Sequence, residues 1–331
     1  MAAFVTLSAG VCAGPATAQP IAVQAQQTVG TSSESIAAGA TQVRLLGELG
    51  RGLRVDVEGA WGTRSRGGSD VFGTAYPYDD RVQVIDAHVE WTRPTARGLR
   101  AVKAGRYRTP FGISSAGDHA YLGFLRPPLI RYGGYYGLSN GYLEHGVSAN
   151  LGLPQASIDV SLGTPADVGT ARRRGEISAV ARAEVARGGL IVGASYLDTM
   201  PDMPARFAHG RARFGGVDLR WMRGGVLLRG EWLAGRPFDG VATRGGYADV
   251  IVHRPELGPV TLLGRAERLG YEAPAPRALY THRYTAAARL RVWRGLSVAG
   301  GVTHQAGQLT QRRATAFDLG MTYAVRQTIR P

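Results

Sequence analysis

The chain has 331 residues, a formal net charge of +14 and an ordinary hydrophobic fraction of 44%. Outside the extreme N-terminus it contains no run of about 18 apolar residues, which excludes a helical membrane protein. Cys12 is the only cysteine, so the class of secreted domains held together by disulfides is excluded as well.

The N-terminal residues indicate export. A short apolar segment precedes Ala16-Thr17-Ala18, which matches the pattern of small residues at a signal-peptide cleavage site. We therefore predict a signal peptide over residues 1–18 and a single mature domain over residues 19–331.

After residue 40, apolar and polar residues alternate in most segments, as expected for β-strands with one apolar and one polar face. Between Leu53 and Trp61 the odd positions are apolar or small, whereas Arg54, Asp56 and Glu58 are charged. The same alternation recurs at residues 85–91, 177–185, 226–232, 284–292 and 317–325. Segments of about 9–13 residues have the length that a tilted strand needs to cross a bilayer.

Short and long connections alternate between these segments. The short ones lie at residues 50–52, 93–98, 153–155, 187–189, 223–225, 255–258 and 294–295. The long ones lie near residues 63–81, 112–142, 164–175, 200–211, 236–246, 271–281 and 306–312. Short turns at one rim and long loops at the other are the layout of an outer-membrane β-barrel.

These segments give an odd number of strands, whereas single-chain bacterial barrels have an even number. The segment IAVQAQQTV, just after the predicted cleavage site, supplies one more alternating strand, although it is also compatible with a disordered leader. The sequence therefore predicts an all-β, antiparallel transmembrane β-barrel of about 16 strands, in which residues 112–142 form the third long loop.

A soluble β-helix or a large sandwich is the competing interpretation, because alternating residues also line an internal core. Two observations favour the barrel. The sequence shows no repeat with a period of about 20–50 residues. Trp61, Trp91, Trp221 and Tyr323 lie toward segment ends, like the aromatic girdles at membrane interfaces.

The segment GRYRTPFG at residues 105–112 resembles one in the porin superfamily that includes the phosphate-selective porins. There, a strand carrying basic residues ends in Pro-Phe-Gly and enters a constriction loop. The resemblance implies an outer-membrane porin, a homotrimer, and lumen-facing side chains at Arg106 and Arg108. Lys103 has the opposite parity and would face lipid at a cost, unless a bulge near Gly105 or a different face assignment applies.

Residues 112–142 are rich in aromatic residues, prolines and glycines and fit neither a strand nor a helix. A barrel of about 16 strands encloses a wide channel, which an inserted loop would narrow. We expect this loop to fold into the lumen; the alternative is an external loop packed over the barrel top. The predicted constriction residues are Arg106, Arg108, Asp118, Arg126, Arg131 and Glu144.

Positions of polar parity carry about as many acidic as basic residues, so the excess positive charge lies in loops and turns. There it suits lipopolysaccharide phosphates, anions near the mouth, or simply a solvated rim. A weak anion preference is expected only from the constriction, where arginines outnumber acids. Pairs such as Arg265-x-Glu267 are expected to be cross-linked wall scaffolding. The predicted wall residues are Asp86, His88, Glu90, Arg229, Glu231, Arg283, Arg289 and Arg291.

Other chemistry is not indicated. The histidines lack metal-ligand spacing, no nucleophile elbow or phosphate-binding loop occurs, and the arginines show no nucleic-acid module. We therefore predict a non-enzymatic channel of the bacterial outer membrane, without cofactor or metal, which passes small hydrophilic solutes or anions and contacts outer-membrane lipid and lipopolysaccharide. The alternative is a non-conducting barrel whose loops bind lipopolysaccharide or an envelope partner.

Overall fold

The computed structural model describes residues 20–33, 36–64, 82–113, 124, 126–131, 143–165, 177–199, 212–236, 242–272, 279–307 and 314–329. The predicted signal peptide, residues 1–18, lies outside them. The strands are Ile21–Ser32 (β1), Ile36–Gly50 (β2), Leu53–Arg64 (β3), Gln83–Thr95 (β4), Gly98–Arg108 (β5), Leu143–Gly152 (β6), Ala156–Pro165 (β7), Ser178–Arg187 (β8), Leu190–Thr199 (β9), Ala212–Arg223 (β10), Val226–Arg236 (β11), Ala242–Val252 (β12), Val260–Glu272 (β13), Leu279–Trp293 (β14), Leu296–Gly307 (β15) and Ala314–Ile329 (β16).

In the described part of the chain, two short 3₁₀ helices accompany the strands, at Leu129–Arg131 and Pro255–Leu257. Within the ranges given above, no helix is both long enough and apolar enough to span a membrane.

The strands form a closed antiparallel barrel in which each strand pairs with its neighbours in the chain. Closure comes from β1 and β16, which pair along the whole of β1, from Ile21 opposite Ile329 to Ser32 opposite Asp318. The segment IAVQAQQTV is therefore a barrel strand, and the predicted number of 16 strands is confirmed.

Side chains alternate between the two faces of the barrel. In β16, Phe317 and Leu319 are 64% and 55% exposed, whereas Asp318 between them is only 6% exposed. The same contrast separates the exposed Val160 and Leu162 in β7 from the buried Ser161. An apolar outer surface around a polar interior is the arrangement of proteins that cross a membrane with β-strands.

The seven short connections lie where the sequence predicts them, at one end of the barrel, which we call the turn rim. In the two-residue turns Gly188-Gly189 and Gly224-Gly225, both residues have positive φ, between 56° and 83°. Turns with two positive φ angles match the right-handed twist of the flanking strands, and glycine adopts them without steric cost. The glycine pairs therefore fix the register of these hairpins.

The opposite end, the loop rim, carries the remaining connections. The one between β5 and β6 is the third along the chain, as predicted. Two predicted loops are too long, because β12 begins at Ala242 inside the predicted loop 236–246, and β14 begins at Leu279 inside the predicted loop 271–281. Gly245 and Gly246 in the first segment, and Pro274 and Pro276 in the second, obscured the start of the alternation.

The register of β1 against β16 is open to a cross-linking test. Thr28 lies opposite Thr322, and their hydroxyl oxygens are 3.3 Å apart. We expect Thr28→Cys/Thr322→Cys, in a Cys12→Ser background, to form a disulfide on oxidation, because directly opposite residues satisfy disulfide geometry. Mass spectrometry of the linked peptides measures this.

The control is Thr28→Cys/Gly320→Cys, since Gly320 lies opposite Gly30, two residues out of register. Such diagonal neighbours are about 7–8 Å apart, too far for an unstrained disulfide. Equal cross-linking of the two pairs would show that the assigned register is wrong.

Candidate functional site: the barrel lumen and its third loop

Charged side chains of β11–β14 form a paired ladder on the inward face. Asp249 accepts hydrogen bonds from Arg229 Nε at 2.8 Å and from Arg265 Nε at 2.6 Å. In the next strands Glu267 accepts from Arg283 at 2.5 and 3.0 Å. All five side chains are at most 5% exposed. A buried charge is costly unless it is paired and hydrogen-bonded, and these five side chains meet that condition in two adjacent groups.

A second network lies on β2–β5. Arg44 Nε donates to Asp56 at 2.8 Å. Arg108, at the end of β5, pairs with Glu58 at 2.7 Å and also with Asp86. A predicted constriction arginine is therefore neutralised by two wall carboxylates.

A third network joins β8, β9 and β10. Arg182 donates to Asp218 at 2.6 Å, to Glu184 at 2.5 Å and to the hydroxyl of Ser195 at 2.8 Å. Glu184 also pairs with Arg220. The side chains of Arg220 and Glu184 are 35% and 25% exposed, so this network reaches the water of the lumen.

An apolar patch interrupts the polar inner wall. It lies at the loop-rim ends of strands β8–β13, at positions that have the parity of the charged ladder. Wall side chains of this patch are Val180, Leu197, Phe214, Leu233, Tyr247 and Leu269. Since apolar surface facing a water-filled lumen is unfavourable, the patch requires a cover.

Phe111 and residues of the third loop, which begins directly after it, supply that cover. Phe111, Ile113, Leu129 and Ile130 belong to the same buried cluster as the wall patch, and none is more than 9% exposed. The backbone N–H of Gly112 donates to Ser195 at 3.1 Å. Burial of such side chains contributes about 1.5–3 kcal/mol each, which favours the docked loop over a solvated one.

A second contact between loop and wall lies further along the loop sequence. Phe124 packs with Ile251 and Leu263 in a separate buried cluster. The guanidinium of Arg265 lies 3.9 Å from the centre of the Phe124 ring, in a cation–π arrangement. The loop therefore covers both the apolar patch and part of the charged ladder.

Hydrogen bonds fix the loop main chain to that ladder. Arg265 donates to the carbonyl oxygen of Arg126 at 3.0 Å, and Arg283 donates to that of Pro127. Glu267 accepts from the N–H of Leu129 at 2.7 Å. The same charged groups that pair within the wall thus also satisfy polar groups of the loop.

The side chain of Arg126 anchors the loop to the closing strands. It donates to the two carboxylate oxygens of Asp318 at 2.6 and 2.8 Å and to Ser32 at 3.2 Å. The described residues of the loop thus contact inward-facing side chains of the wall. Residues 114–123, 125 and 132–142 lie outside the described residues, so the course of the whole loop stays a prediction.

The other predicted constriction residues differ in their positions. Glu144 is 1% exposed and accepts hydrogen bonds from Ser161 and Ser178, both at 2.6 Å. Arg131 ends a 3₁₀ helix, and Asp118 lies outside the described residues. Arg108, Arg126 and Glu144 are therefore held in contacts with the wall.

The register of β5 places Arg106 on the outward face and not in the lumen as predicted, whereas Arg108, at the strand end, pairs with carboxylates of the inner wall. Arg106 lies opposite Ala87 and His145, and Val147, two residues from His145, is 51% exposed on the outward face. Lys103 instead lies between the inward-facing Glu90 and Ser148. Neither parity of β5 is apolar, so alternation alone does not identify its inner face.

By their register with neighbouring strands, all eight predicted wall residues lie on the inward face of the barrel. Asp86, His88 and Glu90 are alternate residues on the inward face of β4, and Arg229 and Glu231 are alternate residues on that of β11. On β14, Arg283, Arg289 and Arg291 lie opposite Glu267, Ala299 and Ser297. Scaffolding pairs do exist, but Arg265 pairs across strands with Asp249, and not with Glu267 two residues away.

Sequence reasoning missed the apolar patch. The signal was present, because Leu233 has the parity of Arg229 and Glu231, and Leu269 that of Arg265 and Glu267. An apolar residue on a polar parity, repeated on neighbouring strands near the same rim, indicates an inner surface that another segment covers.

No family model matches the sequence, and no curated protein does either. Solved structures match over almost the whole chain. An anion-selective porin from Comamonas acidovorans has a TM-score of 0.63 and 11% identity, with 92% of this chain and 98% of that chain covered. OmpF of Salmonella typhi, in complex with daunomycin, has a TM-score of 0.64 and 10% identity, with 92% and 97% covered. The chain has the porin fold.

A third porin-fold match is OmpT, an outer membrane protein of Vibrio cholerae, solved in a trimer form. Its TM-score is 0.59 at 11% identity, with 92% of this chain and 98% of that chain covered. Identities near 10% show that the porin fold tolerates almost complete replacement of its side chains.

The Arg126 anchor predicts a large loss of stability on substitution. Arg126→Met leaves the buried carboxylate of Asp318 without this partner, and we expect the free energy of unfolding to fall by about 3 kcal/mol. Asp318→Asn added to Arg126→Met is expected to restore part of the loss, since the unpaired charge is then removed. Unfolding in urea, followed by the mobility of folded protein on gels, measures both variants.

Arg213 and Asp198 provide the matched control. They form an ion pair at 3.1 Å, but the Arg213 side chain is 63% exposed. Arg213→Met is expected to cost less than about 1 kcal/mol. If Arg126→Met costs no more than Arg213→Met, Arg126 does not anchor the loop.

Proposed function

We propose that the protein is an outer-membrane porin, a passive channel for small hydrophilic solutes that its third loop narrows. The observation that carries this proposal is the docking of the loop against the inner wall of β8–β14, through the apolar patch and through the hydrogen bonds of Arg265, Glu267 and Arg283. Loop residues fixed in this way lie against the inner wall and reduce the open cross-section of the lumen.

Charged wall side chains outside these loop contacts lie on β2–β5 and, closer to the turn rim, at Arg220 on β10. These side chains are partly exposed, for example Arg44 at 37% and Arg220 at 35%. Each pairs with a carboxylate, so a solute meets closely spaced charges of both signs. Such a surface stays hydrated and sets a size limit, and passage needs no chemical step.

A weak anion preference is part of the proposal, but its origin differs from that expected from the sequence. Arg108 and Arg126 are neutralised by carboxylates. Lys103 faces inward with its ammonium 4.6 Å from the centre of the Tyr107 ring, while the neighbouring Glu90 pairs with Arg54 at 2.8 Å. Lys103 therefore contributes positive charge that Glu90 does not cancel.

The anion selectivity of the Comamonas acidovorans porin and the trimer form of Vibrio cholerae OmpT support the same picture by analogy. We propose a homotrimer in the bacterial outer membrane, without enzymatic activity. The second candidate, a non-conducting barrel whose loops bind lipopolysaccharide or an envelope partner, is the outcome if folded protein fails to conduct.

Loop replacement tests the channel. Exchange of residues 112–131 for a short Gly-Ser linker is expected to raise single-channel conductance in planar bilayers about twofold or more, because an unobstructed barrel of this size encloses a wide channel. Exchange of residues 166–176 in the same way is the control and is expected to leave conductance unchanged.

Two results contradict the proposal. Absence of discrete conductance from folded wild-type protein would favour the non-conducting barrel. If wild type and the 112–131 replacement have equal conductance, the protein is a channel but the loop does not limit its conductance.

Reversal potentials in a salt gradient test the role of Lys103. We expect Lys103→Gln to shift the reversal potential toward cations, because one positive charge leaves the lumen. Arg100→Gln, on the same strand, is the matched control. Arg100 lies opposite Leu151, which is 41% exposed on the outward face, so no shift is expected. If only Arg100→Gln shifts the reversal potential, the assignment of Lys103 to the inward face of β5 and of Arg100 to the outward face is wrong.

A further inference from the structure

The outward face of the barrel carries an open groove of about 590 Å³ across strands β9–β14. Its floor is a row of small residues on neighbouring strands, Gly230, Ala248 and Ala266. This row ends at Leu219 on one side and at Tyr284 on the other. Three small residues between two large ones leave the backbone recessed, which creates the groove.

Two arginines and a histidine lie in the next two rows toward the loop rim. Arg268 and His282 are neighbours in the row of Trp232 and Gly246. Arg244 belongs to the row beyond, which also contains Tyr280. Arg268 and His282 line the groove itself.

Two guanidinium groups converge on one tyrosine at this end of the groove. Arg244 Nη2 donates to the hydroxyl of Tyr280 at 3.2 Å. The guanidinium of Arg268 lies 4.4 Å from the centre of the same ring. The outward positions of β12, β13 and β14 carry one carboxylate, Glu272, which lies opposite Ala242 in the row beyond Arg244. The groove therefore has an apolar floor and an end at which two arginines outnumber one carboxylate.

The depth of this end in the membrane follows from the aromatic residues. Trp232 and Tyr284 are 42% and 56% exposed on the outward face and flank the groove. Exposed Trp and Tyr of membrane barrels lie at the level of the lipid headgroups, where arginine on the lipid face costs little. Arg268 and Arg244 thus lie at the level of lipid phosphates.

We propose that this groove binds a phosphate-bearing lipid of the leaflet at the loop rim. Its phosphate lies between Arg244 and Arg268, which form charge-assisted hydrogen bonds to it. An acyl chain lies on the floor of Gly230, Ala248 and Ala266, between Trp232 and Tyr284. A lipid is the occupant because the site opens to the hydrocarbon side of the wall, and a soluble anion would leave the apolar floor uncovered. The proposal rests on the barrel lying in a membrane and not on conduction.

Native mass spectrometry of the full-length protein in detergent, titrated with lipid A, tests this proposal. We expect a saturable lipid adduct, and Arg244→Gln/Arg268→Gln is expected to weaken its binding about 30-fold. The control Arg93→Gln/Arg100→Gln removes two arginines that face each other on the outward surface of β4 and β5, and it should bind like wild type.

A second pair of variants tests the floor without a change of charge. Ala248→Phe fills the groove and is expected to weaken binding, whereas Ala286→Phe, on the outward face of β14 outside the groove, is expected to have no effect. Folding of each variant is checked by its heat-dependent mobility on gels, and conductance is expected to be unchanged in all of them.

Three results would overturn the proposal. Equal binding of lipid A by the Arg244/Arg268 and Arg93/Arg100 variants would show that the site is elsewhere. Equal binding of lipid A from which the phosphates have been removed would exclude phosphate recognition. Displacement of the lipid by millimolar inorganic phosphate would indicate a soluble-anion site. By contrast, absence of conductance from the wild-type protein would refute the proposed channel and would not affect the proposal of lipid binding.

Discussion

The structure depends on closure of the backbone hydrogen-bond ladder. In lipid, a strand edge without a partner exposes unpaired N–H and C=O groups at a cost of several kcal/mol each, so a sheet that spans a membrane has to close on itself. The full-length pairing of β1 with β16 achieves this. Once the ring is closed, the direction of each side chain follows from its parity, and the polar parity faces the lumen on nearly every strand.

Closure brings many charged groups into a narrow interior, where pairing determines the arrangement. Asp249 between Arg229 and Arg265, and Glu267 beside Arg283, are buried and mutually satisfied. The same groups also bind the main chain of the third loop. The ion-paired side chains that stabilise the wall therefore also hold the described residues of the loop.

The low identity to porins of known structure has a physical basis. A membrane barrel requires alternation, tight turns at one rim and an even number of strands, and many different side chains meet these requirements. Side chains are free to diverge where they face lipid, which allows a local feature such as the groove of Ala248 and Ala266 on the outer wall. The lumen and the outer surface can thus acquire separate functions within one fold.

The sequence by itself determined the barrel, the seven tight turns, the place of the third loop and the need for a strand at IAVQAQQTV. These properties depend on local periodicity, on turn residues and on a parity rule, all of which are readable along the chain. The loop position follows from composition, because its prolines and glycines interrupt the alternation.

Tertiary structure alone decided which face of β5 points inward and which partners the charged residues choose. Gly105 has a φ of 131°, and a side chain there would collide with the carbonyl oxygen of Ala87 at 2.4 Å, so this strand is shaped by its neighbour. In β4, Ile85 and Asp86 are both buried next to a register shift, which interrupts the alternation. Asp318 meets Arg126 from 192 residues away. Register across strands sets such contacts, and alternation within one strand carries no information about register.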